Sequence, residues 1–213
     1  MLITNIEPQK RSPRRVNIYL DDEFAFGIQA DVLAKFGLRE GDELDKEAVG
    51  RVLLVEERTL AKNQALRYLG TRRRTEKEIR DKLLEKEFTP ATIESVLADL
   101  IARGLVNDAE FVKAFVHDAQ MRKPAGKRLL QMKLRSKGIS PALLKTLLND
   151  EMSPEQEEAL ALKEAEKIIG KYNTSRKSVD PPRQQQRLIQ HLARRGFSWS
   201  AISPVVKKLF GQY

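Results

Sequence analysis

Lys86-Glu87-Phe88-Thr89-Pro90, Lys137-Gly138-Ile139-Ser140-Pro141 and Arg195-Gly196-Phe197-Ser198-Trp199 are three copies of one phrase. Each copy lies between two amphipathic stretches. Leu83, Leu134 and Leu192 precede it at matching positions, and Ile79, Leu130 and Leu188 stand one helical turn earlier. Ile93, Leu144 and Ile202 follow it, then Leu97, Leu148 and Val206. The copies are 51 and 58 residues apart. Self-similarity at such a period marks a tandem helical array, in which each repeat buries its apolar face mainly against its neighbours. What remains outside is a long surface suited to a long partner. The pattern favours a binding protein over a pocket enzyme.

The chain has 213 residues and a net charge of +9, and its charge is unevenly spread. Residues 1–57 carry 8 basic and 12 acidic side chains, a balance of −4. Residues 58–110 stand at +2, 111–152 at +6 and 153–213 at +5. Between Asp118 and Asp150 there is no acid, and after Asp180 there is none to the end. Such asymmetry points to a polyanion, or to a partner wrapped around one. Cysteine is absent, which removes disulfides, thiolate nucleophiles and cysteine metal sites and agrees with a reducing cytoplasm. No apolar run approaches the ~20 residues of a membrane span. Residues 1–9 lack the basic flank and apolar core of a signal peptide. A cytoplasmic protein without membrane contact is expected.

The first 44 residues differ in kind. Val16, Ile18 and Leu20 alternate with polar or mixed neighbours, Asp21-Asp22-Glu23 makes a turn, and Phe24, Phe26 and Ile28 resume the alternation. This predicts a β-hairpin, with Leu2 to Ile6 as a third strand. Gln29 to Phe36 reads as a short helix stopped by Gly37. Asp45 caps a long helical region towards Leu69. Thr75-Glu76-Lys77-Glu78 is a capping box opening a helix that ends near Glu87, and Thr89-Pro90 opens the next. Asn107-Asp108, Ser140-Pro141 and a second box at Ser153-Pro154-Glu155-Gln156 start further helices. Lys171 to Arg183, with Pro181-Pro182, is expected to be a flexible joint. The last helices are expected from about Gln184 to Arg195 and from Trp199 to Phe210. The fold class is therefore mainly α: an elongated array of three three-helix repeats behind a β-hairpin module. The expected divisions are 1–44 for that module, 45–106 for the first repeat with its lead-in helix, 107–152 for the second and 153–213 for the third.

No catalytic set stands out. His117 and His191 lie in different repeats without a carboxylate or histidine at ligand spacing. Asp21-Asp22-Glu23 is a loop cluster of the kind hairpin turns use. Nothing pairs a nucleophile with a base, so no enzymatic activity, metal or cofactor is expected. Tyr68 and Phe115 fall at core spacing and are expected to be buried. Trp199 takes the slot of Pro90 and Pro141, where it could stack on a base but is expected to pack back on its own repeat.

The basic residues are the better candidates. Arg72, Arg73 and Arg74 sit in the turn before the Thr75 box, and helix N-termini favour anions. Lys127, Arg128, Gln131 and Arg135 fall within roughly a 100° arc of a helix of 3.6 residues per turn, with Leu130 and Leu134 on the adjoining face. Arg122, Lys123 and Lys137 extend this acid-free block, and Arg194 and Arg195 stand at the third phrase. A helix-turn-helix DNA reader is the rival reading. Against it, the helix from Pro90 to Ala102 carries Glu94 and Asp99 on its polar positions, where a reader needs Arg, Asn or Gln.

Taken in order, Ala65-Leu66-Arg67-Tyr68-Leu69, Arg72, Arg74, the Thr75 to Glu78 box, Leu105-Val106-Asn107-Asp108, Phe111, Gly126, Leu134 and the Lys137-Gly138-Ile139 turn resemble the RecX family of recombination regulators. The likeness is closest over residues 58–150 and looser in the third repeat. It implies a cytoplasmic bacterial protein that binds the RecA–single-stranded-DNA filament and damps its ATPase and strand exchange, in the setting of DNA repair and the SOS response. It implies no catalytic residues. The partners expected from it are the RecA filament, and single-stranded DNA weakly or through RecA, bound by a monomer.

Overall fold

The alternation that opens the chain forms an antiparallel sheet in the order β1 (Ile3–Gln9), β2 (Ser12–Leu20), β3 (Glu23–Gln29). The structure, a computed structural model, describes residues 1–173 and 180–211, and side chains at 1–170 and 180–211. Asp21 and Asp22 turn the β2–β3 hairpin with φ of 49° and 70°. Two left-handed residues give a turn whose twist matches the strands, and aspartate tolerates that region better than most side chains. The Asp21 carboxylate also accepts the Leu2 N–H at 2.8 Å. The acidic cluster is thus explained by turn chemistry.

The alternation fails at one point. Tyr19 faces Phe24 while Ile18 faces Phe26, so one step in β2 meets two in β3. This bulge leaves Phe24 59% exposed, edge-on to Tyr19 at 5.9 Å, rather than in the core. Ile3, Ile18 and Ile28 are fully buried with Val32 of α1 (Ala30–Phe36) and Val52 of α2 (Lys46–Leu69). Glu56, buried on α2, joins the layers: it accepts the Gln29 N–H at 2.7 Å and lies 2.9 Å from the Arg15 guanidinium. Asp45 caps α2 through the Ala48 N–H, and α2 continues unbroken to Leu69.

The remaining helices are α3 (Glu76–Leu84), α4 (Pro90–Ala102), α5 (Asp108–Arg122), α6 (Lys127–Ser136), α7 (Pro141–Glu151), α8 (Pro154–Asn173), α9 (Pro181–Arg194) and α10 (Trp199–Phe210). Both capping boxes form. Thr75 and Glu78 exchange bonds at 3.2 and 3.3 Å, and Ser153 and Gln156 at 3.2 and 2.8 Å. Helix α3 stops at Leu84, one turn before the expected end. The expected joint at Lys171 to Arg183 falls partly on 174–179, outside the described residues. On either side the chain is helical: α8 continues to Asn173, and α9 starts at Pro181 because proline suits a first turn.

The repeated phrase is a helix stop followed by a helix start. Its second residue takes positive φ: Glu87 at 60°, Gly138 at 88° and Gly196 at 81°. Its third residue turns its N–H back to the leucine five positions earlier, Phe88 to Leu83, Ile139 to Leu134 and Phe197 to Leu192. This closes the orphan carbonyls of the ending helix and drops an apolar side chain onto its last turn. The hydroxyl residue then precedes the next helix. The four apolar positions keyed to each phrase are buried in all three repeats.

The chain divides into two compact units: Met1–Arg73 with Ile79–Val106, and Arg74–Glu78 with Asn107–Tyr213. Within unit 2 the phrases meet other backbone closely. The Gly126 N–H donates to the Arg195 carbonyl at 3.0 Å and the Arg128 N–H to that of Gly196 at 3.1 Å. The fully buried Thr75 hydroxyl donates to the Lys137 carbonyl at 2.7 Å. A Cβ on Gly196 would lie 2.3 Å from the Leu129 nitrogen, and one on Gly138 would lie 2.3 Å from the Lys77 Cβ. Glycine at these two phrases therefore answers close approach as well as positive φ.

Three carboxylates in matching register complete the scheme. Glu57, Asp108 and Glu157 stand four residues before Ala61, Val112 and Ala161, all three of which are fully buried. Glu57 accepts the Thr89 N–H at 2.8 Å and the Thr92 hydroxyl at 2.8 Å. Asp108 accepts the Glu76 N–H at 2.9 Å. Glu157 accepts the Lys127 N–H at 2.9 Å and the Ser198 hydroxyl at 2.9 Å. Burial pushes the Glu57 carboxyl up, but the bonds from Thr89 N–H and the two threonine hydroxyls outweigh it and hold the group below its usual range.

Candidate functional site

Helix α6 is a basic, amphipathic element of unit 2. Leu130 and Leu134 anchor one side in the core with Phe111, Val112 and Leu144. Lys127, Gln131 and Arg135 line a shallow groove of about 320 Å³, and Pro141, Lys145 and Asn149 of α7 form its other wall. The Lys127 ammonium donates to the Asn149 side chain at 3.3 Å. Arg128 is exposed on the same stripe beside Arg135, outside the groove lining. Among the described residues the side chains of Arg128, Arg135 and Lys145 make no ion pair. The anchored face fixes where these cations point.

The other candidates separate. Arg122 and Lys123 line a second hollow with Lys133, Phe115 and Arg195. Arg195 itself is built into the fold: it donates to the carbonyls of Lys123 (2.9 Å) and Pro124, and lies 3.8 Å from Glu164. Lys137 pairs with Glu78 at 2.7 Å and sits 5.7 Å from the Phe111 ring centroid. Arg194 is exposed. Arg72 and Arg73 belong to unit 1 and Arg74 to unit 2, and the Arg72 guanidinium donates to the Arg73 carbonyl at 2.8 Å. The structure thus brings Lys127 and Arg135 together, adds Lys145, and assigns Lys137 and Arg195 to internal bonds.

Some side chains lie where the pattern did not place them. Tyr68 and Phe115 are half-buried, Phe115 stacking on Phe111 at 6.1 Å. His191 meets Glu164 of α8 at 2.9 Å, a pairing across 27 residues that local spacing does not reveal. Trp199 does not pack back on its repeat; it is 62% exposed.

The polar face of α4 is consumed internally. Glu94 pairs with Arg80 at 2.9 Å, and Asp99 with Lys62 at 2.7 Å and Arg103 at 2.8 Å. Carboxylates and cations here bind helix to helix, which leaves α4 poorly equipped to read bases. The hydrogen bond from Lys62, joined by that from Arg103, holds the Asp99 carboxyl at about 2, below its ordinary 3.8. A depressed carboxyl stabilises the fold above its ordinary range and loses that contribution as pH falls through its folded value. Asp99→Asn is therefore expected to lower the urea midpoint at pH 7, with the gap from the parent narrowing between about pH 4 and pH 2. An unchanged gap at low pH would contradict the pairing.

Comparison with known proteins gives a consistent pattern. Residues 1–45 match the family described as Regulatory protein RecX N-terminal domain. Residues 61–100, 107–148 and 155–206 match the first, second and third three-helix domains of RecX. The chain is 35% identical to regulatory protein RecX of Bacillus subtilis, over 97% of this chain and 76% of that protein. It is 33% identical to that of Clostridium perfringens, over 97% and 95%. A crystal structure of regulatory protein RecX superposes with a TM-score of 0.72 at 30% identity, covering 98% of both chains. The RecX structure from Lactobacillus salivarius, at 24% identity and a TM-score of 0.65, covers 73% of this chain and 97% of its own and supports the fold.

Proposed function

The chain belongs to the RecX family of regulatory proteins, and on that premise we propose that it regulates homologous recombination by binding the RecA–single-stranded-DNA filament and damping its ATPase and strand exchange. The observation that carries this reading is the stripe on α6. Arg128, Arg135 and Lys145, the last two in one groove, are exposed cations that make no ion pair among the described residues, on helices anchored by buried leucines. Such groups meet the acidic or phosphate surface of a charged polymer without reorganising the fold. Phosphate contact alone releases counterions, reads no sequence and weakens steeply with salt. Binding to bare single strands is therefore expected to be weak, salt-sensitive and sequence-indifferent, and binding to RecA-coated strands much tighter. Fluorescence anisotropy of a labelled oligonucleotide, bare and coated, checks this. Equal affinity for both would instead support direct DNA binding.

A further inference from the structure

We propose that the groove between α9 and α10 is a single-strand contact in which Trp199 stacks on a nucleobase; this rests on the reading that the partner carries a single strand. Trp199 is the sole tryptophan of the chain. It occupies the first position of α10, where Pro90 and Pro141 stand at the starts of α4 and α7. Proline is pre-organised for that position, whereas an indole is not. At 62% exposure the ring adds little to the core formed by Leu188, Leu192, Phe197 and Ile202. It does line an open groove of about 700 Å³ with Gln185 and Ile189 of α9 and Ser203, Val206 and Lys207 of α10.

The chemistry of this groove fits a strand of bases and phosphates. An aromatic platform accepts any base by its face, and a cation along the track holds the backbone. Lys207 lies eight residues beyond Trp199 on the same helix, about 12 Å along its axis at the usual rise. Gln185 and Ser203 can bond base edges or phosphate oxygens between them. From 181 to the end the chain has six basic residues and no acid. Arg183, Arg187 and Arg194 do not line the groove but raise its positive potential. The carboxylate bonded beside Trp199 is that of Glu157. It is 3% exposed and receives the N–H groups of Lys127 and Ser198 and the Ser198 hydroxyl, so it offers the strand little repulsion.

Because Trp199 is the sole tryptophan, its emission reports directly on the groove. The full chain is titrated at low salt with a labelled oligothymidylate, and with a strand of equal length lacking bases. Anisotropy gives the bound fraction, and tryptophan emission gives stacking. The oligothymidylate is expected to quench the emission, and the abasic strand to leave it nearly unchanged at equal bound fraction. Trp199→Ala is expected to weaken binding at least roughly fivefold, within the range of one base–aromatic stack, and Trp199→Phe to restore most of it. Both variants should keep the parent circular-dichroism spectrum, since the ring lies outside the core. Absence of binding to the base-bearing strand, binding without quenching, or parent-like affinity of Trp199→Ala would each overturn the proposal. Emission that responds to RecA protein but not to bare strand would assign the groove to a protein partner, overturning this inference and leaving the filament reading intact. Quenching by bare strand with no preference for coated strand would do the reverse.

Discussion

Replacing Gly196 by alanine is expected to destabilise unit 2 by about 3 kcal/mol or more, whereas Glu87→Gly at the same point of the first phrase should be neutral or slightly stabilising. Gly196 has φ of +81°, and its added Cβ would lie 2.3 Å from the nitrogen and 2.4 Å from the Cβ of Leu129. The left-handed conformation costs an L-residue about 1–2 kcal/mol. Forcing atoms into a packed contact costs about 1–3 kcal/mol more, and here the obstacle includes backbone, which yields poorly. Arg128 donates to the Gly196 carbonyl and Gly126 to that of Arg195, so a shift at Leu129 disturbs neighbouring bonds as well. Glu87 already bears the conformational cost, and glycine there removes it. Gly104 separates the two contributions: it has φ of +68° with nothing within 4 Å of a Cβ. Gly104→Ala should lose only about 1–2 kcal/mol. Urea denaturation followed by circular dichroism checks all three. Equal losses at Gly104 and Gly196 would remove the packing argument.

The phrase made the architecture legible because it contains both ends of the helices it joins. Leucine five residues before the apolar position, a turn residue able to take positive φ and a hydroxyl before the next helix are local features. Local backbone bonds realise the stop in all three phrases, and Thr89 and Ser140 cap the next helix, whereas Ser198 bonds the distant Glu157. The core was legible for the same reason, since the residues keyed to the phrase share helical spacing. Phe24 was misread because a bulge breaks the period on which its reading rested. Glu57, Asp108 and Glu157 were missed although they stand in register before Ala61, Val112 and Ala161. Their partners lie 30 or more residues away, so only an alignment of the repeats would single them out. The site was less legible still. Lys137 and Arg195 count as free positive charge in a sequence, yet each is bound internally by groups distant along the chain. Lys145 gained its place because α7 packs beside α6, which periodicity along one helix does not show.

Reversing the charge of Arg128, Arg135 and Lys145 together should weaken attachment to the RecA filament roughly tenfold or more at low salt while leaving the fold intact. All three are exposed and make no ion pair among the described residues, and their loss leaves no described buried partner stranded. Lys127 is better spared, because its side chain bonds Asn149 and its positive charge lowers the Glu155 carboxyl together with the Ser153 hydrogen bond that dominates there. Like charges set against an anionic partner slow encounter and shorten the complex, and both effects fade with salt. The triple-glutamate variant should therefore melt as the parent does and bind coated strands poorly at low salt, with its deficit relative to the parent narrowing as ionic strength rises. A folded variant with parent affinity would move the contact away from α6 and α7.

On the proposed reading, a basic helical surface of this chain restrains RecA on single-stranded DNA. RecA-catalysed ATP hydrolysis on single-stranded DNA, measured as the protein is titrated in, reads that restraint. The rate is expected to fall with added parent protein and to stay near its starting value with the Arg128→Glu, Arg135→Glu, Lys145→Glu variant. A rate unaffected by the folded parent protein, at concentrations where it binds the coated strand, would contradict it.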